Sequence, residues 1–261
     1  MNPLAGVQGT ESHVGPARGT GSSASFVSHE GQGMKSLAVY VIICLMGNMV
    51  LRVKQEFMEA MLTMLPTRKE AIELVHDGLL SNPGPWGKHC LTAAHCAEKI
   101  ASECDGMDSE KAYILGLLHD IGRKFGVRHL GHVSDGYTYM TNLGYDEVAK
   151  ICLTHSFNNH TVDEYIGEFD VTDDELMLIK SELAKAIYDE YDWLIQLCDS
   201  LAGVEGVLDI EERMGDVKNR YGSYPQDKWD SNIRLMHYFE EKMGKNIYTV
   251  CEQDTFIPGN I

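Results

Sequence analysis

The chain has 261 residues, of which 44% are hydrophobic and 23% charged, a balance that points to a soluble globular protein rather than a disordered or membrane one. Its 39 acidic against 22 basic residues give a formal net charge of −17, which would repel a nucleic-acid polymer. Small phosphorylated substrates stay open, because bound cations can reverse the field inside one pocket.

Residues 1–57 are expected to be a poorly ordered leader, rich in Gly, Ser and Thr near its start. Within it, the apolar run 37–50 (LAVYVIICLMGNMV) is shorter than the ~20 residues a helix needs to cross a bilayer. Its length suits a signal-peptide core better, but it lacks a typical basic flank and a small-residue cleavage site. Met34 and Met58 are alternative starts, and the reading is of a cytoplasmic protein without a membrane anchor. Seven cysteines with no CxxC pair, several of them on apolar helix faces, read as reduced, packed thiols rather than disulfides or a structural zinc site.

From Pro66 onward the periodicity is helical, with helices expected over 66–79, 88–104, 108–121, 130–143, 145–155, 173–187, 190–203, 206–221 and 228–243. The fold class is therefore all-α, and no repeat of fixed period points to a solenoid. Thr67 with Glu70 forms a capping box, Asp108 is a second N-cap, and SNPGPWG (81–87) breaks the chain between the first two helices.

Several titratable residues fall on apolar faces. On the second helix His89 lines up with Ala93, Cys96, Ala97 and Ile100, whereas at ~100° per residue His95 is turned roughly 240° away. His89 is the inward residue and His95 the outward one. The helix SEKAYILGLLHDIGR is apolar nearly all round yet ends in His119 and Asp120, and a buried carboxylate is costly unless it is paired or coordinates a cation. Gly122 reads as a helix stop, followed by Arg123 and Lys124, which could reach a bound anion.

Farther along, His132 lies one turn before Gly136, whose missing side chain allows close approach by another helix. His155 follows Val148, Ile151 and Cys152 on an inward stripe, and Asp199 sits with Ile195, Cys198 and Ala202. Each histidine alone is consistent with a hydrogen-bonded core residue. Together, His89, His119, Asp120, His132, His155 and Asp199 point to a metal centre, while His76, His129, His160 and His237 are assigned to the surface or loops.

The order His89, then HDIGR, then LCDSLA resembles the HD domain family of metal-dependent phosphohydrolases over about residues 66–202. His132 and His155 are similar to the two further histidines of a dinuclear subgroup, which includes the enzymes that split diadenosine tetraphosphate and the HD-GYP cyclic dinucleotide phosphodiesterases. The chain lacks the GYP tripeptide after HDIG, which disfavours the cyclic-dinucleotide activity. The resemblance implies an HD-domain helical bundle over 58–205; residues 206–261, which match no named motif, are expected from their helical pattern to form a C-terminal extension packed on it. It implies two divalent ions, with Asp120 bridging, His89, His119 and Asp199 mainly on one, and His132 and His155 on the other.

Imidazole and carboxylate donors suit iron, manganese, nickel or zinc. The expected activity is hydrolysis of a phosphate ester or anhydride of a small molecule, a nucleotide foremost. Arg123 is the candidate phosphate clamp and Lys124 a weaker one, with Asp120 central to catalysis. Rival readings are a di-iron oxygenase on the same fold, or a metal- or nucleotide-sensing module that does not turn over.

Overall fold

The computed structural model describes residues 65–251, which lie in one compact unit. The expected leader, its apolar run and Cys44 lie outside the described residues. Among the described residues the protein is all-α: ten α-helices, two 3₁₀ turns, and one isolated bridge between Ala202 and Val207 in place of any strand. None of these helices is long and apolar enough to cross a membrane. Cys90, Cys96, Cys104, Cys152 and Cys198 are buried free thiols, and Cys251 is a half-buried one.

Helix α1 (Arg68–Ser81) starts at the Thr67–Glu70 capping box. Helix α2 (Trp86–Ser102) begins two residues earlier than expected, because Pro85 has a fixed φ of −73° that suits a helix start and Trp86 buries its ring. Helix α3 (Ser109–Leu118) is capped by Asp108, which accepts from the amides of Glu110 and Lys111. All seven residues from Ala112 to Leu118 are buried, so α3 is the central rod of the bundle. Gly116 makes this possible: a Cβ there would come within 2.8 Å of Ala94 Cα on α2.

Helix α3 stops at Leu118, earlier than expected, and the chain tightens into a 3₁₀ turn, Ile121–Phe125. Gly122 is therefore not a helix stop in a left-handed conformation. A Cβ on it would lie 1.9 Å from the His132 carbonyl oxygen, so glycine is required for the turn to press against helix α4 (Gly131–Asn142). One turn further along α4, Gly136 faces the same turn and also meets helix α5 (Asp146–Thr154): an added Cβ would have 3.1 Å to the Cys152 Cβ and 3.3 Å to Gly122 N.

A second 3₁₀ turn (Val162–Glu164) leads to α6 (Asp173–Lys185). Helix α7 (Glu190–Leu201) then packs against α2, α3 and α5. The C-terminal part comprises α8 (Ile210–Tyr221), α9 (Gln226–Met243) and a short α10 (Ile247–Cys251) that the sequence pattern does not predict. It leans on the bundle through α9 against α7 and α10 against α2. One large core joins α1, α2, α3 and α7 with these last helices, and a smaller one gathers Leu130, Val133, Leu153, Phe157, Val162, Ile179 and Leu183 under α4, α5 and α6.

Candidate metal centre

Two helices end at the same place in the bundle. His119 is the first residue past α3, and His155 the first past α5. Both imidazoles fold back onto carbonyls of the closing turn of their helix: His119 Nδ1 lies 2.7 Å from the Gly116 oxygen, and His155 Nδ1 lies 3.1 and 3.0 Å from those of Ile151, which also accepts the His155 amide, and Cys152. His132 Nδ1 meets the His129 carbonyl, and His89 Nδ1 is 3.1 Å from the Ala202 carbonyl. A carbonyl can only accept, so the proton sits on Nδ1 in all four rings. Their Nε2 lone pairs are left facing one another.

Those four lone pairs converge with two carboxylates. Asp199 Oδ1 is 3.0 Å from His89 Nε2 and 3.7 Å from His119 Nε2. Asp120 Oδ1 is 3.0 Å from His132 Nε2 and 3.6 Å from His155 Nε2, and those two nitrogens are 3.2 Å apart. The potential donor atoms fall into overlapping sets, His89 with His119 and Asp199, and Asp120 with His132 and His155, the atoms of each set within 4.8 Å of one another. Cys90, His119 and Asp120 form a third set that links the two.

Acceptors packed this closely repel unless something positive lies among them. His119 Nε2 and Asp120 Oδ1 are buried with no hydrogen-bond partner, a costly state for polar atoms in the core. The donor set therefore fits divalent cations in its chemistry as well as in its orphaned atoms. The other Asp120 oxygen, Oδ2, accepts from Arg123 Nε at 2.5 Å, which leaves Oδ1 alone to serve the cluster.

The field inside is strongly negative. Burial disfavours charge on Asp120, but Arg123 and His132 outweigh it and hold the carboxyl well below its ordinary range. Burial likewise opposes charge on Asp199, which His119 and His89 hold well below the usual carboxylate range. Burial lowers the His119 pKa, yet Asp199 and Asp120 bring it above its ordinary value. For His155, burial and the neighbouring His119 push the pKa down to about 3.

All six residues singled out as ligands thus come together. Arg123 is close by, but its first partner is Asp120, and its Nη1 reaches toward the Arg128 carbonyl at 3.4 Å. Lys124 turns instead to Tyr139, donating to the hydroxyl at 2.9 Å with its ammonium 4.1 Å from the ring centroid. His95 lies off the cluster, half-buried with its ring edge-on to Tyr113. His76, His160 and His237 are exposed, and His129 takes part only through its carbonyl.

Two residues near the cluster escaped the sequence reading. Cys90, whose thiol is kept protonated by burial and by Asp120, reads as ordinary core next to His89. Gln196, one turn before Asp199, donates to the Thr154 carbonyl at 3.0 Å and keeps its buried Oε1 without a partner. A polar residue three positions from a ligand on an apolar helix was the available signal.

Residues 86–203 match the family model described as HD domain, a span that contains all six residues. No curated protein matches the chain, and no solved structure does.

Proposed function

We propose that the chain hydrolyses a phosphate ester or phosphoanhydride of a small molecule, a nucleotide foremost, at two divalent cations held by His89, His119, Asp120, His132, His155 and Asp199. HD domains are generally metal-dependent phosphohydrolases, and the match over residues 86–203 supports that class. The observation that carries the proposal is the convergence of four imidazoles, each with Nδ1 on a backbone carbonyl, upon two carboxylates with His119 Nε2 and Asp120 Oδ1 unpartnered. Cations held there would acidify a shared water and take up charge from the attacking and leaving oxygens.

The residues divide that work. His89, His119 and Asp199 form one end of the donor set, His132 and His155 the other, and Asp120 Oδ1 is the oxygen available to both. Arg123 fixes Asp120 through Nε and keeps Nη donors for a phosphoryl oxygen. The carbonyls of Ala202, Gly116, His129, Ile151 and Cys152 hold the imidazoles so that none needs to reorient during turnover.

The test is to reconstitute the full chain separately with manganese, iron, nickel and zinc, and to measure metal content by elemental analysis. The loaded protein is then assayed on phosphomonoesters, nucleotides and dinucleoside polyphosphates. Phosphate or nucleotide release with about two ions per chain is the expected result. Oxygen uptake on a vicinal diol without any hydrolysis would replace the proposal with an oxygenase. Full metal loading with neither activity would leave a sensing module.

A further inference from the structure

Helix α9 carries a cation that the hydrolytic reading does not use. Lys228 is 9% exposed, and its ammonium donates to the carbonyl of Ser156, the residue after His155, at 2.5 Å. That is its one hydrogen-bond acceptor among the described residues, although an ammonium has three donors. No described carboxylate forms an ion pair with it. The charges that reach it are those of Glu164 and Asp199, working against a burial that lowers its pKa. Glu164 is buried and already engaged, accepting from the Asn159 amide at 2.8 Å and from its side chain at 2.7 Å.

Tyr224, just before α9, lies in the same field: burial raises its pKa and Asp199 adds to the rise. Its hydroxyl accepts from Asn232 Nδ2 at 2.9 Å, which leaves the O–H to donate elsewhere. Asn232 is fully buried and is itself anchored by Asn158 Nδ2 at 2.8 Å. The C-terminal part thus brings braced hydrogen-bond donors within electrostatic reach of Asp199, while the cluster itself consists of acceptors. A buried cation kept for stability alone would be paired with the nearby Glu164, and here it is not.

Resting on the phosphohydrolase reading, we propose that Lys228, helped by the Tyr224 hydroxyl, binds an anionic oxygen of the substrate's phosphate, so that the C-terminal extension completes a site whose ligands all lie in residues 86–203. The residue that discriminates among phosphorylated substrates then lies outside the segment that carries the metal-binding pattern.

The full chain loaded with manganese is titrated calorimetrically with inorganic phosphate, beside its Lys228→Met and Lys228→Arg variants, with metal content and melting temperature measured for each. Lys228→Met is expected to keep its metal, to melt no lower than the parent because a poorly paired buried charge is gone, and to bind phosphate at least about tenfold more weakly. Lys228→Arg should recover most of the affinity. Unchanged phosphate affinity in Lys228→Met overturns the proposal. So does a parent that binds no phosphate, or a weakening that comes with lost metal or lowered melting temperature and is not restored by Arg.

Where Lys228→Met does not fold, Tyr224→Phe carries the test, with a few-fold weakening expected from the lost hydroxyl and an unchanged affinity counting against the proposal. If the parent hydrolyses nothing but its phosphate binding depends on Lys228, the hydrolytic reading fails and this one stands. If it hydrolyses phosphate esters while Lys228→Met binds phosphate unchanged, the reverse holds.

Discussion

The two ends of the cluster differ in how they meet solvent. The side chains of His132, His155 and Asp120 are 2%, 2% and 5% exposed, whereas those of His89 and Asp199 are 12% and 30% exposed, with His119 sealed between the two ends at 0%. The closed end is built on α4 and α5, clamped by the Gly122 and Gly136 approaches; the open end lies where α2 and α7 meet the start of the C-terminal extension. The open end is also the end whose field Lys228 and Tyr224 share. Lost ligands should therefore be replaceable by water at the open end but not at the closed one.

The largest effect belongs to the residue common to both ends. Asp120→Ala should reduce metal content and turnover to background, and it should lower the melting temperature because Arg123 loses its carboxylate. Two retained ions by elemental analysis would dissolve the distinction between the ends. Next comes His155→Ala, which should leave about one ion per chain and cut turnover by ~100-fold or more, since one cation cannot stabilise both attacking and leaving oxygens. His89→Ala, where water can take the vacated position, should lose less. If the two variants lost equal activity, exposure would not be what separates the ends.

A proton titration sharpens the same contrast in the metal-free chain. An unfolded imidazole protonates near its ordinary value of ~6.5, but folded His155 resists until about pH 3. Between those values the unfolded state binds more protons, so stability falls as the pH drops. His119 has the opposite sign: its raised pKa contributes stability that is present below the unfolded value and is lost as the pH rises through the folded one. Urea midpoints of metal-free His155→Ala should accordingly fall less than those of the parent between pH 7 and pH 4, as ~6.5 lies within that window.

The smallest effect is expected outside the cluster. His95→Ala should keep its metal and its turnover, and should lose only about 1 kcal/mol of stability with the Tyr113 contact. Inactivity there would reverse the assignment of the two histidines on α2.

Most of the candidate ligands were legible because each is expensive where it stands: a carboxylate at the end of a helix buried all round, or an imidazole on an apolar stripe, demands an explanation from its neighbours. The backbone carbonyls that orient them were not legible, because every residue type supplies one. His129 shows the limit: its imidazole is not one of the converging donors, yet its backbone supplies the oxygen that holds His132. Gly122 reads as a helix stop from its neighbours in the chain, whereas glycine is needed there for a close approach to a segment distant in sequence. Arg123 follows the same logic: the pattern reveals a cation near the site but not that Asp120 claims its Nε. Helix α10, with five residues, is too short to display a period.

The meeting of α3 and α5 has a consequence for the order of events in a catalytic cycle. Each helix presents its C-terminal end, equivalent to roughly half a negative charge, to a space that already holds two carboxylates. A phosphate entering that well before the cations would meet repulsion from every side except Arg123 and the donors of the extension. On the proposed function, binding would be ordered, cations first and phosphate second, and a chelator would be expected to expel bound phosphate from the loaded protein without competing for its binding surface.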